Sequence, residues 1–438
     1  MSKEGKDGLS RRQFVTTVSA GAAAGALFAP AVHAQSRKTV RMLNNETSID
    51  TIRALRVAAA EYERATGISV TVDTAPIEDT FTKLTTSIRA GKPFDIATIP
   101  FAAHILLLAG EGHIVPLNQL TDKYKWGPKS LMPIDNKVYI YPYDYNLAWI
   151  YYRKDLYEAK GLKVPAVWSE FAANTKALNG NGMFGALFPV GAKAAPSWMS
   201  TGFMFADGVT IFDEKWNVAL DAGVNLKKTA SYLDLMADVY KTMPAGANQA
   251  RYSETISNFV SGKVAHASYS GRMIETLERN APDLAKKFGI FPFMASTGKT
   301  EMVSMANDGW AVTKSGNSEE AIKFLTWFTE NQYINYLHSA PMHFQPARLD
   351  VYDDPRWLAH PMIEKHKDIV AEMRRFITDP KVMMTGVDTD GPNIDMRPAK
   401  VFERFIIPEM LENRCLKNMP GEECVKIASE KIRKLIAS

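Results

Sequence analysis

Several short stretches set hydrogen-bonding side chains beside aromatic rings: Asn44-Asn45-Glu46, Tyr143-Asp144-Tyr145-Asn146, Pro196-Ser197-Trp198, Tyr269-Ser270-Gly271-Arg272 and Asn307-Asp308-Gly309-Trp310. Phe101 after Pro100, Phe344-Gln345-Pro346 and Asp395-Met396-Arg397 are weaker examples. Asn, Asp and Glu offer paired donors or acceptors, and an indole or phenol ring offers a flat apolar face. Such a set suits a compact solute carrying hydroxyls and aliphatic hydrogens. The same residues also serve as turn, capping and packing residues. A bond-breaking alternative casts Glu46 and Asp144 as the paired carboxyls of an exported glycoside hydrolase, which needs them about 5 to 10 Å apart. No G-x-S-x-G, H-E-x-x-H, G-x-G-x-x-G or phosphate-binding loop stands in a credible context, so no catalytic residue, metal or cofactor is expected.

Composition limits the partners. The chain has 438 residues, 46% apolar, 10% aromatic and 23% charged, enough for two packed units of roughly 150 to 200 residues. Formal charge is +4. Lys3, Lys6, Arg11 and Arg12 against Glu4 and Asp7 put half of that before residue 35. The near-neutral remainder has no basic, aromatic-rich stretch with which to bind nucleic acid. Ser10-Arg11-Arg12-Gln13-Phe14-Val15 precedes an uncharged Ala/Gly-rich run ending Val32-His33-Ala34. Residues 1–34 are therefore expected to be a cleavable export signal of twin-arginine type, leaving a chain in the periplasm. Cys415 and Cys424 flank Pro420-Gly421. In an oxidising compartment that turn is expected to close a disulfide worth about 2 to 3 kcal/mol.

The elements that must hold these groups follow from periodicity. A strand over 39–43 leads into a helix capped by Ser48, with Ile52, Leu55, Ala59 and Tyr62 on one face and Gly67 at its end. Ile68, Val70 and Val72 alternate as a strand, completing a strand-helix-strand unit. Ile77, Phe81, Leu84 and Ile88 form the next helical face, Phe94 to Ile99 the next strand and Ala103 to Ala109 a short helix. This alternation builds a parallel sheet. Residues 137–152 read as two strands broken at Pro142 and crossing between domains. Helices are expected around Trp168, Phe171 and Leu178, around Tyr232 to Val239, before Gly262, and through Ala321 to Phe328. Further strands are expected at 264–269 and 310–312. The fold class is α/β in two lobes.

In order, Thr66-Gly67-Ile68-Ser69-Val70, Gly91-Lys92-Pro93-Phe94-Asp95-Ile96, Tyr139 to Pro142, Tyr152-Arg153-Lys154-Asp155-Leu156 and Pro165-Ala166-Val167-Trp168-Ser169-Glu170 form one series. Phe259-Val260-Ser261-Gly262-Lys263-Val264-Ala265 and Asn307-Asp308-Gly309-Trp310-Ala311-Val312 continue it. Together they resemble the extracytoplasmic solute-binding proteins of ABC importers, in particular the carbohydrate-uptake family. Arg153 and Val167 depart from that family's frequent Asn and Thr, and neither is an expected ligand contact. The resemblance implies a two-lobe periplasmic binding protein fold with a hinge and an interlobe ligand cleft. Lobe 1 is expected over 36–145 and 307–346, and lobe 2 over 146–306 and 347–438. It implies a monomer that binds a sugar-like solute, neutral or anionic, and presents it to permease subunits. Expected ligand contacts are Asn45, Glu46, Phe101, Asp144, Asn146, Trp198, Tyr269, Arg272, Asn307, Asp308, Trp310 and Arg397.

Overall fold

The computed structural model describes residues 38–99 and 101–437, apart from the side chains of Glu78 and Asn307. The export signal expected over 1–34 lies outside the described residues, as does Pro100.

Strand β1 (Thr39–Asn44) runs into helix α1 (Ile49–Thr66), whose N-cap Ser48 accepts from the Thr51 amide. Such a cap is worth about 1 kcal/mol. Leu55, Ala58, Ala59 and Tyr62 are buried, and Gly67 ends the helix at φ 76° with its amide on the Glu63 carbonyl. A left-handed residue at that position favours glycine. Strand β2 (Ser69–Thr74) lies parallel to β1, Val40 opposite Val70. Helix α2 (Ile77–Arg89) leads to strand β3 (Ile96–Thr98), parallel to β1 on its other side. Helix α3 (Ala102–Gly110) follows. The expected βα alternation is present here element by element.

The centre of the molecule differs from the expectation in one respect. Residues 137–152 hold one strand, β4 (Tyr141–Arg153), with a register shift between Pro142 and Asp144. Pro142 is tolerated because it stands at the strand's beginning, beside the irregularity. Strands β5 (His266–Tyr269) and β6 (Phe288–Phe291) flank the last residues of β4, Trp149 facing Tyr269 and Ile150 facing Phe291. β7 (Phe293–Met294) precedes the second long strand, β8 (Glu301–Val312), of which only 310–312 was expected as strand. The apolar run Met302-Val303 pairs with β7 and with β10 (Val382–Thr385). The middle of β8 pairs antiparallel with β4, Asn146 opposite Ala306. Its last residues pair with β3, Ala97 opposite Ala311. β9 (Gln345–Pro346) adds to β4 beside Asp144 and Tyr145. β4 and β8, 13 and 12 residues long, therefore span roughly 40 Å at 3.3 to 3.4 Å per residue, and join the β2-β1-β3 end of the sheet to the β5 end.

Three main cores pack against this frame. One joins Val40, Leu55 and Tyr62 to Trp310, Phe324 and Phe328 and continues to Trp149 and Phe376. Another, between α2 and α3, holds Leu43, Leu84, Phe94, Ile105 and Leu108. The third gathers Phe171, Phe203, Leu233, Met236, Ile407 and Val425, from helices Trp168–Ala177, Gly223–Tyr240, Ile406–Lys417 and Gly421–Ile436. Cys415 and Cys424 lie on the last two of these and are free thiols, not the expected disulfide. Asn418 closes the first helix in a left-handed conformation, and the Cys424 sulfur faces the Met419 carbonyl at 3.8 Å instead of its fellow cysteine.

Candidate functional site

The loop after β1 is fixed by its own hydrogen bonds. Asn44 Nδ2 donates to the Glu46 carbonyl at 2.8 Å, the Asn45 amide donates to Thr98 Oγ1 at 3.4 Å, and the Tyr143 hydroxyl donates to Asn45 Oδ1 at 3.4 Å. Asn45 and Glu46 are thereby presented at the carboxyl end of a parallel strand, where α/β sheets hold ligands. On the far side, β5 ends at Tyr269 and helix Arg272–Asn280 begins immediately after Gly271. A Cβ on Gly271 would lie 1.6 Å from the Met342 carbonyl oxygen, so only glycine lets this turn pack against 342–343. That approach brings His343 Nδ1 to 3.0 Å from Ser270 Oγ. Trp198 stands on the short helix Ala194–Met199; Pro196 is accommodated in its first turn, where no amide is needed.

These elements enclose a cavity of about 440 Å³. Asn45, Glu46, Phe101, Asn146, Trp198, Tyr269, Arg272 and Asp308 all line it. So do Ser197, beside Trp198, and the helix cap Ser48, together with Thr47, Tyr252, Met305, His343, Asp388 and Phe402, which carry no such signal in the sequence. Tyr252 opens a helix that reads as ordinary amphipathic packing. Asp388 and His343 sit in loops with no local signal beyond their residue type. The aromatic wall is built edge to face: Trp198 meets Tyr269 at 5.6 Å and Tyr252 at 6.1 Å. Elements from the two ends of the sheet meet beside the cavity. Phe101 contacts Phe402 at 4.8 Å, His104 Nε2 lies 2.8 Å from Glu403, and the Ala102 amide donates to Asp388 at 3.2 Å.

Electrically the site is rich in carboxyls. Arg272 holds Glu46 at 2.7 Å, and Asn146 Nδ2 donates to Asp308 at 2.9 Å. Burial, then the charge of Glu46, raises Asp308 to about 7. Burial raises Asp388 to about 6. Burial and the neighbouring guanidinium push His343 well below the usual imidazole range, so it is neutral and Arg272 is the cation of the lining. Asn146 Oδ1, Ser197 Oγ and Trp198 Nε1 are buried at this wall with no protein partner. The arrangement offers acceptors, a few donors and ring faces. It can hold hydroxyls and aliphatic hydrogens, and it repels anions.

The remaining expected contacts lie elsewhere. Asp144 is 2% exposed and is not part of the cavity wall, which leaves Glu46 without the partner the hydrolase alternative required. The stretch 307–310 is strand β8, not a loop. Trp310 is fully buried among Tyr143, Phe328 and Tyr336: facing β3 across the sheet, it became core. The Asn307 side chain lies outside those described. Arg397 stacks over Trp216 at 4.8 Å, and its amide is capped by Asp395, so it sits in the first turn of the helix Met396–Glu403 and does not line the cavity, which Phe402 near the other end of that helix does.

Residues 46–334 match the model of the bacterial extracellular solute-binding proteins. A binding protein of Brucella abortus (strain 2308) is 27% identical over 307 residues, covering 65% of this chain and 71% of that one. The mannitol-binding protein of Pseudomonas aeruginosa is 26% identical over 269 residues, covering 57% and 60%. An ABC transporter solute-binding protein from Thermotoga lettingae, solved with α-D-tagatose, superimposes with a TM-score of 0.74 at 18% identity, over 91% of this chain and 99% of that one. The likeness in fold is that of a two-lobe α/β binding protein.

Proposed function

The chain belongs to the bacterial extracellular solute-binding proteins, and from that premise we propose that it captures a neutral sugar or polyol for an ABC permease. The observation that carries this reading is the cavity itself. Glu46, Asp308 and Asp388 supply acceptors, Asn45 and Asn146 supply amides, and Trp198, Tyr252 and Tyr269 supply ring faces, all around about 440 Å³. That volume is near the lower end of ligand sites and suits one or two sugar units. Carboxyls outnumber the single guanidinium, which favours a neutral ligand over a sugar phosphate. The mannitol-binding relative supports a polyol among the candidates.

The mechanism is closure without chemistry. β4 and β8 are the connections across the sheet, and they support lobes over 36–145 with 307–346 and over 146–306 with 347–438. A solute touching both lobes at once favours the closed form by its differential binding free energy. Contacts already present in the structure, Phe101 with Phe402 and His104 with Glu403, support such a closed form. The twin-arginine-type signal over 1–34 supports delivery to the periplasm, where the closed form presents its solute to the permease.

A thermal-shift panel of hexoses, hexitols including D-mannitol, disaccharides and sugar phosphates tests the proposal. A ligand at about 1,000 times its dissociation constant adds about 4 kcal/mol of stability. A shift confined to neutral sugars or polyols supports the reading. A shift with sugar phosphates alone, or with no member of the panel, overturns it.

A further inference from the structure

Asp144 and Asp308 stand directly opposite one another on β4 and β8, so both side chains leave the same face of the sheet. They are 2% and 3% exposed. Neither Asp144 oxygen has a hydrogen-bond partner, and Asp308 accepts from Asn146. Arg272, the guanidinium whose charge bears on both, is engaged by Glu46. Two like charges facing each other in so dry a place do not both persist, and such a pair retains a proton.

Resting on the reading of the cavity as a sugar or polyol site, we propose that Asp144 keeps its proton throughout, that Asp308 takes up a second one in the ligand-free protein near neutral pH, and that a ligand hydroxyl seated on Asp308 expels this second proton to solvent, so that the pair never carries two charges. The ligand keeps its own hydrogen and donates it to the carboxylate; the acid's proton goes to water. Asp308 is the contact, since it lines the cavity, and Asp144 is a positioning residue behind it.

Among the described residues Arg272 is the one cation whose charge bears on both aspartates. Glu46 faces the pair from the loop after β1, and Arg272 from the helix after β5. Tyr143 on β4, Tyr269 on β5, Tyr336 on helix Tyr333–His338 and Tyr352 near β9 are all pushed upward by burial and are neutral. His343, beside Glu46, is neutral as well. Burial first, then the partner's charge, holds Asp144 well above the ordinary carboxyl range, and Asp308 stands at about 7. Affinity is then full above that pH and falls by up to tenfold per unit below it, because the proton must leave before the hydroxyl can seat.

Titration calorimetry of D-mannitol, or of whichever panel sugar gives the largest thermal shift, at pH 6.5 in buffers of different ionisation enthalpy reads the linkage. The wild type should release between about half and one proton per ligand. Asp308→Asn should release well under half the wild-type value, and Asp144→Asn, which replaces one neutral side chain with another, close to the wild-type value. Heats that agree across buffers in a wild type that binds overturn the proposal, as does wild-type release in Asp308→Asn. If no sugar binds, the functional reading fails instead, and the pair is read in the ligand-free protein from ¹³C-labelled aspartate carboxyl resonances. A carboxyl titrating near 7 that vanishes in Asp308→Asn upholds the exchangeable proton on Asp308; every aspartate titrating below about pH 5 overturns it.

Discussion

Removing the cavity's guanidinium gives the sharpest energetic test of how the site is held together. Arg272 and Glu46 are paired at 2.7 Å with side-chain exposures of only 24% and 13%. The charge of Glu46 bears on Asp144 and Asp308, while that of Arg272 offsets it. Arg272→Met leaves the Glu46 carboxylate buried beside two further carboxyls. Breaking a buried pair from one side costs about 3 to 5 kcal/mol, and the partial exposure argues for the lower figure. Removing both charges in Arg272→Met/Glu46→Gln deletes the unpaired group, so the double variant should lose only about 1 kcal/mol. Unfolding entropy of about 2.1 cal/mol/K per residue over roughly 400 ordered residues gives about 0.8 kcal/mol per degree. The single variant should therefore melt about 4 °C lower and the double about 1 °C lower. Ligand-free thermal melts followed by circular dichroism, with urea titrations alongside, measure both. A single variant within 1 °C of wild type, or a double variant no more stable than the single, refutes the view that this ion pair offsets the carboxyl cluster.

Three further outcomes follow from the same site and its surroundings. Trp198→Ala should weaken binding of any panel sugar by about 2 kcal/mol, roughly thirtyfold, since its indole forms part of the aromatic wall; calorimetry with an unchanged circular dichroism spectrum checks this, and wild-type affinity would remove Trp198 from the site. Asp308 at about 7 binds a proton in the folded chain that the unfolded chain sheds near 3.9, so its stabilising share is complete below about pH 4 and is lost as pH rises through 7. Asp308→Asn should therefore gain about 2 to 3 kcal/mol on the wild type between pH 5 and pH 8 in urea titrations, and an equal pH response would contradict the buried acid. Both Cys415 and Cys424 should be alkylated in denaturant without reductant, giving a mass shift of two adducts; a chain that takes none carries the disulfide that the structure lacks.

Local chemistry made the β1-α1-β2 segment readable: Ser48 and Gly67 cap a helix whose apolar spacing needs no distant partner. The same holds for Tyr269, Gly271 and Arg272, where strand end, glycine and cation stand together in sequence. Nonlocal pairing hid the rest. The residues of β8 before Trp310 show no strand signal of their own because their strand character comes from β4, about 160 residues away, and from β10. Trp310 and Trp198 are both tryptophans beside small or polar residues; only the tertiary packing decides that one fills a core and the other a wall. Asp388, His343 and Tyr252 reach the cavity because loops and helix starts happen to converge there. The cysteines show the opposite error, where a turn rich in Pro and Gly suggested a bridge that two helices do not make.

The place of β8 between β3 and β4 has a consequence for how the chain reaches this form. Synthesis at about 5 to 20 residues per second delivers β8 roughly 10 to 40 s after β3, and until then the inner edges of both neighbours stand open. An unsatisfied strand edge invites wrong pairing, and contacts closed over such sequence distances are slow to form. A nascent chain halted before Glu301 would hold two unfinished halves with no seam between them, so dependence on a holding chaperone should be greatest in that window and fall once Val312 has emerged.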